Sequence, residues 1–340
     1  MANLMLTKQC NLHCSYCFAN EFVNQQNDIM SYDNFLKCLQ FLSADPNERI
    51  GLIGGEPTLH PELKHMLATL IDSPFRSVCL FTNGIVMEPY FNELRNSKFL
   101  ILINLNEPNM VGTQQYYNII KNCEQMIERF YMRYQVNFGI NLYKPNMDFE
   151  YILDVLKRFQ QRKLRVSVSV PNMDETRQMS PLEYFQKMKD TVRGLVKNLL
   201  KIGVAPQFDC NYVPYCVQTE EDRVLFAQHS EVMQRSNLTK NPPICSPVLD
   251  ILPDLQVVRC FGLSGLYKVN LLDFRNAAEI RKHFAMEIDA LAYHIVPNED
   301  CGKCQDYIAG KCSCGCYAYR QANIKMLRDG IKQKVGVTEI

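Results

Sequence analysis

The sequence predicts an α/β protein built on a parallel sheet, and two features of the chain predict it. From the first residue to about residue 205, short apolar runs alternate with amphipathic segments of helical period. Strands that alternate with helices of this length are joined by right-handed crossovers, which place the strands parallel to one another in one sheet. The pattern by itself leaves open a doubly wound sheet and a partial or complete barrel.

Six βα units follow one another in this part of the chain. The predicted strands are 1–6, 49–53, 77–82, 99–104, 135–141 and 165–170. The predicted helices are 31–43, 61–72, 87–95, 112–130, 149–161 and 180–202.

The pattern changes after about residue 205 to shorter strands, turns and cysteines, and several prolines there break any long helix. We therefore predict a first domain over 1–205 and a second, cysteine-rich domain over 206–325. The remaining residues, 326–340, are rich in Lys and Gly and are expected to form a mobile or docking tail.

Charge and hydropathy exclude several classes of partner. The 37 basic and 36 acidic residues give a formal charge of +1, so no strong field attracts a polyanion or a membrane surface. The N-terminus lacks a basic stretch followed by a long apolar run, and no segment approaches about 18 uninterrupted apolar residues. The sequence thus predicts a cytoplasmic protein without a membrane partner, and it disfavours nucleic acid.

Fifteen cysteines are present, and twelve of them fall into two regions, residues 10–17 and 210–316. Their odd number and the lack of an export signal argue against a disulfide framework. Such clustering indicates metal binding. Cys38, Cys79 and Cys123 stand apart and are interpreted as small buried hydrophobic residues.

Cys10, Cys14 and Cys17 form a C-x3-C-x2-C motif in the loop after the first predicted strand, with Tyr16 just before the last cysteine. Three thiolates cannot fill a tetrahedral zinc site alone, and the nearby His13 lies inside the same tight loop. A four-iron, four-sulfur cluster normally takes four thiolates, so three leave one iron with an open coordination position. The motif therefore favours a cluster with a reactive iron over structural zinc.

A glycine-rich segment, Gly54-Gly55-Glu56-Pro57, follows the second predicted strand. Paired glycines allow the backbone to approach a ligand closely, and the Glu56 carboxylate can accept a hydrogen bond from an ammonium group. The alternative is a turn that leads into the next helix. Polar residues also end the third and fourth strands, at the edge where ligand sites of parallel barrels lie, and they have the same two interpretations.

The cysteine motif, its loop and the GGEP segment resemble the signature of the radical S-adenosylmethionine (SAM) superfamily. The resemblance implies a partial (β/α)6 TIM-like barrel in which Cys10, Cys14 and Cys17 hold a [4Fe-4S] cluster. SAM would chelate the fourth iron, and one-electron reduction would cleave it to methionine and a 5′-deoxyadenosyl radical. An electron donor of the flavodoxin or ferredoxin type is expected.

The same resemblance implies that seven residues bind SAM: Tyr16, Gly54, Gly55, Glu56, Pro57, Asn83 and Asn104. Tyr16 would lie close to the adenine, and Glu56, within the GGEP segment, would hold the amine. Asn83 and Asn104, at the ends of the third and fourth strands, would contact the ribose and carboxylate.

The nine cysteines of the second region have spacings that carry a second resemblance. They form the patterns Cys210-x5-Cys216, Cys245-x14-Cys260 and Cys301-x2-Cys304-x7-Cys312-x3-Cys316, with Cys314 between the last two. This arrangement is similar to the SPASM extension, which holds two auxiliary [4Fe-4S] clusters in radical SAM enzymes that modify peptides and proteins. Leu255 occupies the usual glycine position, a gap of seven replaces one of five, and no cysteine follows Cys316.

The family's wiring implies two sets of ligands. The first auxiliary set is Cys245, Cys260 and Cys316. The second auxiliary set is Cys301, Cys304 and Cys312. The fourth ligands stay open, with Cys210 or Cys216 proposed for the first cluster and Cys314 for the second. A smaller one-cluster "twitch" version and a zinc ribbon in the last group of cysteines are the alternatives.

Three functions compete. The first is hydrogen abstraction from a peptide or protein, as in maturases of ribosomal peptides or of sulfatases. The second is a radical SAM enzyme acting on a small metabolite, such as a sugar or cofactor precursor. The third is a non-catalytic electron-transfer or zinc-binding protein. The first is favoured, and no catalytic acid or base is assigned.

Two observations weaken parts of the first interpretation. Because Cys10 already lies in the cluster loop, we expect no N-terminal domain for peptide recognition of the kind that many peptide maturases carry. Sulfatase-maturing enzymes place an aspartate after the second cysteine of the C-x9-15-G-x4-C pair, whereas Phe261 follows Cys260 here.

Overall fold

One ten-stranded sheet organises the part of the chain that the computed structural model describes. The described residues are 1–17, 19, 22–24, 28–45, 47–169, 181–209, 211, 214–237, 245 and 247–335. The strands are β1 (Ala2–Met5), β2 (Ile50–Ile53), β3 (Val78–Thr82), β4 (Phe99–Asn104), β5 (Val136–Leu142), β6 (Lys163–Val168), β7 (Ala205–Phe208), β8 (Leu249–Ile251), β9 (Gln256–Val258) and β10 (Val269–Asn270).

The helices of the described residues lie between and after these strands. They are α1 (Tyr32–Leu42), α2 (Leu63–Asp72), α3 (Phe91–Leu94), α4 (Pro108–Val111), α5 (Thr113–Glu124), α6 (Glu150–Arg158), α7 (Pro181–Lys201), α8 (Glu220–Gln228), α9 (Ser230–Met233), α10 (Ala277–Phe284), α11 (Ala290–His294), α12 (Glu299–Lys303), α13 (Gln305–Ile308) and α14 (Gln321–Val335). Turns of 3₁₀-helix span Pro57–Leu59, Glu88–Tyr90, Tyr215–Val217, Phe261–Leu263, Leu271–Asp273 and Tyr317–Arg320, and π-helical turns span Gln125–Arg129 and Ala285–Asp289.

The strand order is β10-β9-β8-β1-β2-β3-β4-β5-β6-β7. Strands β1 to β7 are parallel neighbours in chain order, and β8 adds to the β1 edge in parallel. The hairpin partners β9 and β10 are antiparallel. The predicted parallel α/β sheet is confirmed, and because β7 and β10 end the described sheet it is a partial barrel.

The sheet contains a seventh parallel strand, β7, beyond the six that were predicted. Its sequence, Ala-Pro-Gln-Phe, is short, and Pro206 cannot donate a hydrogen bond to a neighbouring strand. At the edge of the sheet this is tolerated, since β7 pairs with β6 on one side alone in the described sheet. Because one of its four residues is proline, the sequence did not predict this strand.

The core lies between the sheet and its helices. Alternate strand residues such as Leu4, Leu52, Leu80 and Ile101 are fully buried, and the apolar faces of the helices cover them. Consecutive parallel strands are joined by crossover helices. A capping residue can mark where such a helix begins. Ser31, for example, caps α1 by accepting a hydrogen bond from the Asn34 amide at 3.2 Å.

The predicted tail begins inside the last helix of the described residues. Helix α14 runs through 321–335, and Ile324 on it is fully buried. The Arg328 guanidinium lies 3.9 Å from the centre of the Tyr267 ring and donates to the Leu266 carbonyl at 3.2 Å. These contacts hold the helix against the rest of the protein. The Lys and Gly content of the segment did not indicate them.

The predicted division at residue 205 stays a prediction. Strands from both sides of it share one sheet, because Ala2 of β1 pairs with Leu249 of β8 as well as with Ile50 of β2. Within the described residues, no helix is both long and apolar enough to cross a membrane.

Candidate functional site

The carboxyl ends of β1 to β5 gather the predicted SAM-site residues at one edge of the sheet. Parallel strands carry their ends to the same side, so the loop after β1 meets the GGEP segment after β2. The Gly55 amide donates to the Thr7 carbonyl at 2.8 Å, and the Glu56 amide donates to the Gln9 carbonyl at 2.7 Å. The segment that leads into Cys10 is thus paired with the GGEP backbone.

The two glycines are required by this close approach. A Cβ atom on Gly54 would lie 2.6 Å from the Thr7 carbonyl oxygen. A Cβ atom on Gly55 would lie 2.2 Å from the Gln9 carbonyl oxygen and 2.9 Å from the Cys10 Cβ atom. The sequence suggested that these glycines approach a ligand, and in the structure they approach the loop that carries the cysteines.

Cys10, Cys14 and Cys17 are partly buried and lie within electrostatic range of one another. Burial raises the pKa of all three thiols, that of Cys10 to about 11. The Leu12 amide donates to the Cys10 sulfur at 3.4 Å, and Asn24 brackets the Cys10 peptide unit, accepting from its amide at 2.8 Å. Three soft sulfur donors in one fixed loop fit an iron–sulfur cluster.

Single-ion coordination is a different arrangement from cluster binding. Among the residues that the structure describes, no three His, Cys, Asp or Glu side chains converge on the position of one metal ion. A cluster does not require such convergence, because each thiolate binds a separate iron.

Glu56 is 1% exposed, and its carboxylate accepts four hydrogen bonds from the protein. Oε1 accepts from the Thr58 amide at 3.1 Å and from the Thr58 and Thr82 hydroxyls at 2.7 Å each. Oε2 accepts from the Asn83 amide at 2.7 Å. Burial raises the pKa of Glu56. The side chain therefore ties the ends of β2 and β3 together, and its role in holding SAM stays a prediction.

Asn83 connects the end of β3 to the cysteine loop. Its side-chain amide donates to the Asn11 side chain at 2.7 Å, and its carbonyl oxygen accepts from the Ile85 amide at 3.0 Å. The side chain therefore stabilises a turn after β3, and its contact with SAM stays a prediction. Asn11 lies between two of the motif cysteines, so Asn83 helps to fix the loop.

Tyr16 binds the polar ends of β4 and β5. Its hydroxyl donates to the Asn106 side chain and accepts from Asn104 Nδ2 at 3.3 Å. Asn104 in turn accepts from Asn141 at 3.0 Å, and the Tyr16 ring lies 4.8 Å from the ring of Tyr143. Burial raises the pKa of the Tyr16 hydroxyl, which keeps it a donor. The cysteine loop is thereby docked across the barrel mouth.

Sequence reasoning missed several residues of this edge. Asn141 lies near the end of β5, as Asn104 does on β4, and that shared position could have identified it. Tyr143 and Lys144 follow on the same strand end, and both contact Glu107, at 3.0 Å and 3.2 Å. They form a polar rim beside the Tyr16 network.

Two cysteines of the first auxiliary set, Cys245 and Cys260, contact the buried Arg259. Arg259 donates to the Cys245 carbonyl at 3.3 Å and to the Cys260 sulfur at 3.8 Å. Its guanidinium also lies 5.6 Å from the ring centre of Tyr317, the residue after Cys316. The Cys316 sulfur accepts a hydrogen bond from the Ala318 amide at 3.4 Å.

The Arg259 charge has one close carboxylate partner, Asp289. Its Nε and Nη2 atoms donate to the two carboxylate oxygens at 2.6 Å and 3.0 Å. Such a bidentate ion pair fixes the guanidinium plane between the cysteines. The protein thus provides a rigid positive group at the first auxiliary set.

The second auxiliary set, Cys301, Cys304 and Cys312, lies within mutual electrostatic range. The Cys216 thiol interacts with all three of these cysteines. Cys314, the predicted fourth ligand, hydrogen-bonds to Cys301. The sequence had proposed Cys216 for the first set, and its role as a ligand stays a prediction.

The remaining candidate, Cys210, lies outside the described residues. None of the cysteines that the structure describes forms a disulfide.

The chain resembles known proteins in sequence and in fold. Over 94 residues it is 30% identical to a probable GTP 3′,8-cyclase of Methanococcus maripaludis, which covers 28% of this chain and 32% of that protein. The chain therefore matches about a third of the length of this relative.

Two solved structures share the fold along most of the chain. The structure of anSMEcpe with bound AdoMet and the peptide Kp18Cys is 14% identical with a TM-score of 0.64 and covers 98% of both chains. That of Streptococcus suis SuiB bound to S-adenosylmethionine is 13% identical with a TM-score of 0.61, covering 93% of this chain and 72% of that one. These likenesses concern the fold.

The sequence model of the Radical SAM superfamily matches residues 4–179, just over half of the chain. The match includes the three-cysteine loop and the strand ends that hold it. This chain therefore belongs to the radical SAM superfamily, whose cofactors are S-adenosylmethionine and a [4Fe-4S] cluster.

Proposed function

We propose that this protein cleaves SAM reductively and abstracts a hydrogen atom from a peptide or protein substrate. The observation that supports the substrate class is the likeness to anSMEcpe over 98% of both chains, cysteine-rich region included, because that structure contains a peptide. The second SuiB structure of this fold, with a TM-score of 0.58, contains the precursor peptide SuiA. An electron donor of the flavodoxin or ferredoxin type and a cytoplasmic location stay predictions.

The residues at the barrel mouth have separate tasks in this proposal. Cys10, Cys14 and Cys17 hold the cluster, which when bound supplies the electron that splits SAM into methionine and a 5′-deoxyadenosyl radical. Glu56 and Asn83 hold the loop at a fixed height above the sheet, through the hydrogen bonds described above. Tyr16 closes the opposite side of the mouth and keeps solvent from the radical.

The C-terminal cysteines are proposed to bind auxiliary clusters. Nine thiols in this region can supply two clusters at four thiolates each. Two clusters beside the barrel would give an electron a route away from an oxidised substrate. Assignment to the SPASM-type subgroup is supported by the two sets of C-terminal cysteines, which lie among different buried side chains.

The first test measures iron and SAM cleavage together. Anaerobically reconstituted protein is expected to be brown and to hold about 12 irons, because three clusters of four irons fit the twelve clustered thiols. Replacing Cys10, Cys14 and Cys17 by alanine should remove about 4 irons and all 5′-deoxyadenosine formed with dithionite. Cys79→Ala, outside both cysteine regions, is the matched control and should change neither.

Other results of this test would contradict parts of the proposal. About 8 irons in the unchanged protein would support a single auxiliary cluster. Stoichiometric zinc without visible absorption would exclude the iron–sulfur assignment. If the triple variant still forms 5′-deoxyadenosine, the catalytic cluster lies elsewhere.

A small metabolite is the second candidate substrate, and the match to a probable GTP 3′,8-cyclase favours it. The two candidates differ in what stimulates SAM cleavage. We expect a peptide fraction of a cell extract to raise 5′-deoxyadenosine formation, and protease digestion of that fraction to remove the effect. Consumption of GTP by the reduced enzyme, or stimulation that survives protease, would favour the metabolite.

A further inference from the structure

We propose that Arg320 supplies the positive charge that balances the cluster held by the second auxiliary set. The inference rests on the proposed function, in which Cys301, Cys304 and Cys312 hold that cluster. A [4Fe-4S] cluster with thiolate ligands carries a net negative charge, and charges near a cluster help to set its reduction potential. Arg320 would act as a positioning residue that binds no iron and makes the cluster easier to reduce.

Arg320 is bonded directly to the loop that carries two of the C-terminal cysteines. It ends the 3₁₀ turn Tyr317–Arg320, and its Nη2 atom donates a hydrogen bond to the Ser313 carbonyl. Ser313 stands between Cys312 and Cys314, and the Cys312 sulfur accepts a hydrogen bond from the Cys314 amide at 3.3 Å. The guanidinium therefore lies beside a predicted cluster ligand.

The charge of Arg320 has no carboxylate partner in the part of the chain that the structure describes. The residue is 2% exposed, and its Nη1 atom donates to the neutral Ala292 carbonyl at 2.9 Å. Its Nε atom is buried and donates to no acceptor, and the ion pairs of the described arginines do not include it. A buried charge is costly unless it is paired. A thiolate-bound cluster is an anion that would offset this cost.

Two aromatic rings lie close to the Arg320 guanidinium. Its central carbon is 5.1 Å from the ring centre of Tyr317 and 5.8 Å from that of Tyr307. Ring faces attract a cation, but a ring has no net charge and cannot balance one. The rings hold the guanidinium in place and leave its charge for another group.

Arg259 offers a comparison within the same region. It is 1% exposed, and its guanidinium lies 5.6 Å from the ring centre of the same Tyr317. Its charge is paired with the Asp289 carboxylate through hydrogen bonds of 2.6 Å and 3.0 Å. Of these two buried arginines, Arg320 is therefore the one whose charge the described residues leave for a cluster.

The experiment measures reduction potentials in the protein that already lacks Cys10, Cys14 and Cys17, so that only the auxiliary clusters are titrated. Arg320→Gln removes the charge and keeps an amide donor. We expect one cluster to move to a more negative potential in an EPR-monitored redox titration, since loss of a nearby positive charge disfavours the added electron. A chelator should also remove the iron of that cluster roughly tenfold faster.

Arg320→Lys tests whether charge or hydrogen-bond geometry matters, because lysine keeps the charge and loses the planar fork. Its potentials should stay near those of the background, even if its thermal midpoint falls. A shift as large as that of Arg320→Gln would overturn the inference. Arg320→Met is a second neutral variant for the case that Arg320→Gln does not fold, and circular dichroism checks each protein.

Arg281→Gln is the matched control. Arg281 binds both Glu48 carboxylate oxygens at 2.8 Å, so its charge is paired. This variant should lower the thermal midpoint and leave both cluster potentials and the rate of iron removal unchanged.

Cys304→Ala identifies the cluster that responds, because it removes a proposed ligand of the second auxiliary set. In its presence, Arg320→Gln should no longer move the potential of the remaining [4Fe-4S] cluster. If the remaining cluster still shifts, Arg320 acts on the first auxiliary set and the inference is wrong.

Two results separate the inference from its premise. If the background holds no iron, the proposed function fails at the auxiliary clusters. If the background holds iron and Arg320→Gln leaves every potential unchanged, the inference alone fails, and Arg320 only links the Ala292 and Ser313 carbonyls.

Discussion

Glu56 is a buried residue that joins two strand ends and the segment before Cys10. Its carboxylate joins the end of β2 to Thr82 and Asn83 at the end of β3, and its backbone amide binds the loop before Cys10. A negative group in this position costs solvation, and four protein donors offset that cost. Its second predicted role is to hold the SAM ammonium.

Glu56→Gln tests whether the carboxylate has this second role. Glutamine places an NH2 group against one of the amide donors, so we expect the protein to lose about 1–3 kcal/mol of stability. If the carboxylate also holds the SAM ammonium, affinity should fall roughly tenfold to a hundredfold, since a charge-assisted hydrogen bond is worth about 1.5–3 kcal/mol. Anaerobic calorimetric titration of SAM measures this.

Thr82→Val is the matched control, because it removes a hydrogen bond to the same carboxylate and keeps its charge. We expect its SAM affinity to stay within about threefold of the unchanged protein. Reduced stability in both variants with unchanged SAM affinity would assign Glu56 to anchoring alone. Iron content should stay constant throughout, since Glu56 is proposed to bind no iron.

At the residue scale, the sequence predicted the positions of the site but few of its contacts. Spacing identified Cys10, Cys14 and Cys17 because thiolate clusters in one loop are a local pattern. It could not reveal that Arg259 contacts both Cys245 and Cys260, since a single arginine beside a cysteine has no distinctive spacing. Asn141 was missed because a polar residue at a strand end has many ordinary roles.

Secondary structure elements were predicted within a few residues, with exceptions that share a physical cause. The six predicted strands carry apolar runs that the sequence shows directly. Strands β7 to β10 have only two to four residues each, and β7 contains Pro206. Strands this short are stabilised by their neighbours in the sheet, so local composition does not predict them.

Strand β8 connects the loop that carries Cys10, Cys14 and Cys17 to the first auxiliary set. Asp250 on β8 pairs with Asn3 of β1 and accepts a hydrogen bond at 2.8 Å from the amide of Phe261, next to Cys260. The Phe261 ring contacts the Phe22 ring, in the loop after β1, with 5.4 Å between centres. Phe261 therefore packs the two regions together, where sulfatase-maturing enzymes carry an aspartate.

Asp250 should make stability depend on pH. Burial raises its pKa to about 7, whereas an unfolded aspartate titrates near about 3.9. Between these values the folded state holds a proton that the unfolded state has released. Folding stability from this group is therefore complete below about pH 4 and is lost as pH rises through about 7.

Asp250→Asn mimics the protonated form and should remove this dependence. Its NH2 group can also reach Asn3 Oδ1, a buried atom that accepts no hydrogen bond in the structure. We expect the thermal midpoint of the variant, relative to the unchanged protein, to rise from about pH 5 to about pH 7 and then to level off, in cluster-loaded samples. Parallel profiles for the two proteins would show that Asp250 does not titrate in this range.

The whole molecule is held together by contacts that join distant parts of the chain. One sheet includes β1 and β8, and an ion pair adds a second link near the amino end of β1. Arg281 on α10 binds both Glu48 carboxylate oxygens at 2.8 Å, across more than two hundred residues of sequence. We therefore expect the barrel and the cysteine-rich region to unfold together, so that a substitution in one lowers the thermal midpoint of both.

Glu48→Gln tests this coupling. Burial alone would raise the pKa of Glu48, but hydrogen bonds and charges from Arg281 and the N-terminal amino group lower it below its ordinary value. The ion pair therefore stabilises the fold above about pH 4.3, and its contribution is lost as pH falls through the lowered native pKa. At neutral pH we expect a loss of about 1.5–3 kcal/mol, towards the lower end because a quarter of Arg281 is exposed.

The measurement compares thermal midpoints of the Glu48→Gln and unchanged proteins from pH 7 down to pH 4, following helix content and cluster absorbance together. The difference in midpoint should be constant near neutrality and shrink as pH approaches 4. Both signals should shift by the same amount, because the pair joins the barrel to the region that holds the auxiliary sets. A shift in helix content that leaves the cluster absorbance at its original midpoint would show that the two regions unfold independently, and that the shared sheet and the Glu48–Arg281 pair do not make them one cooperative unit.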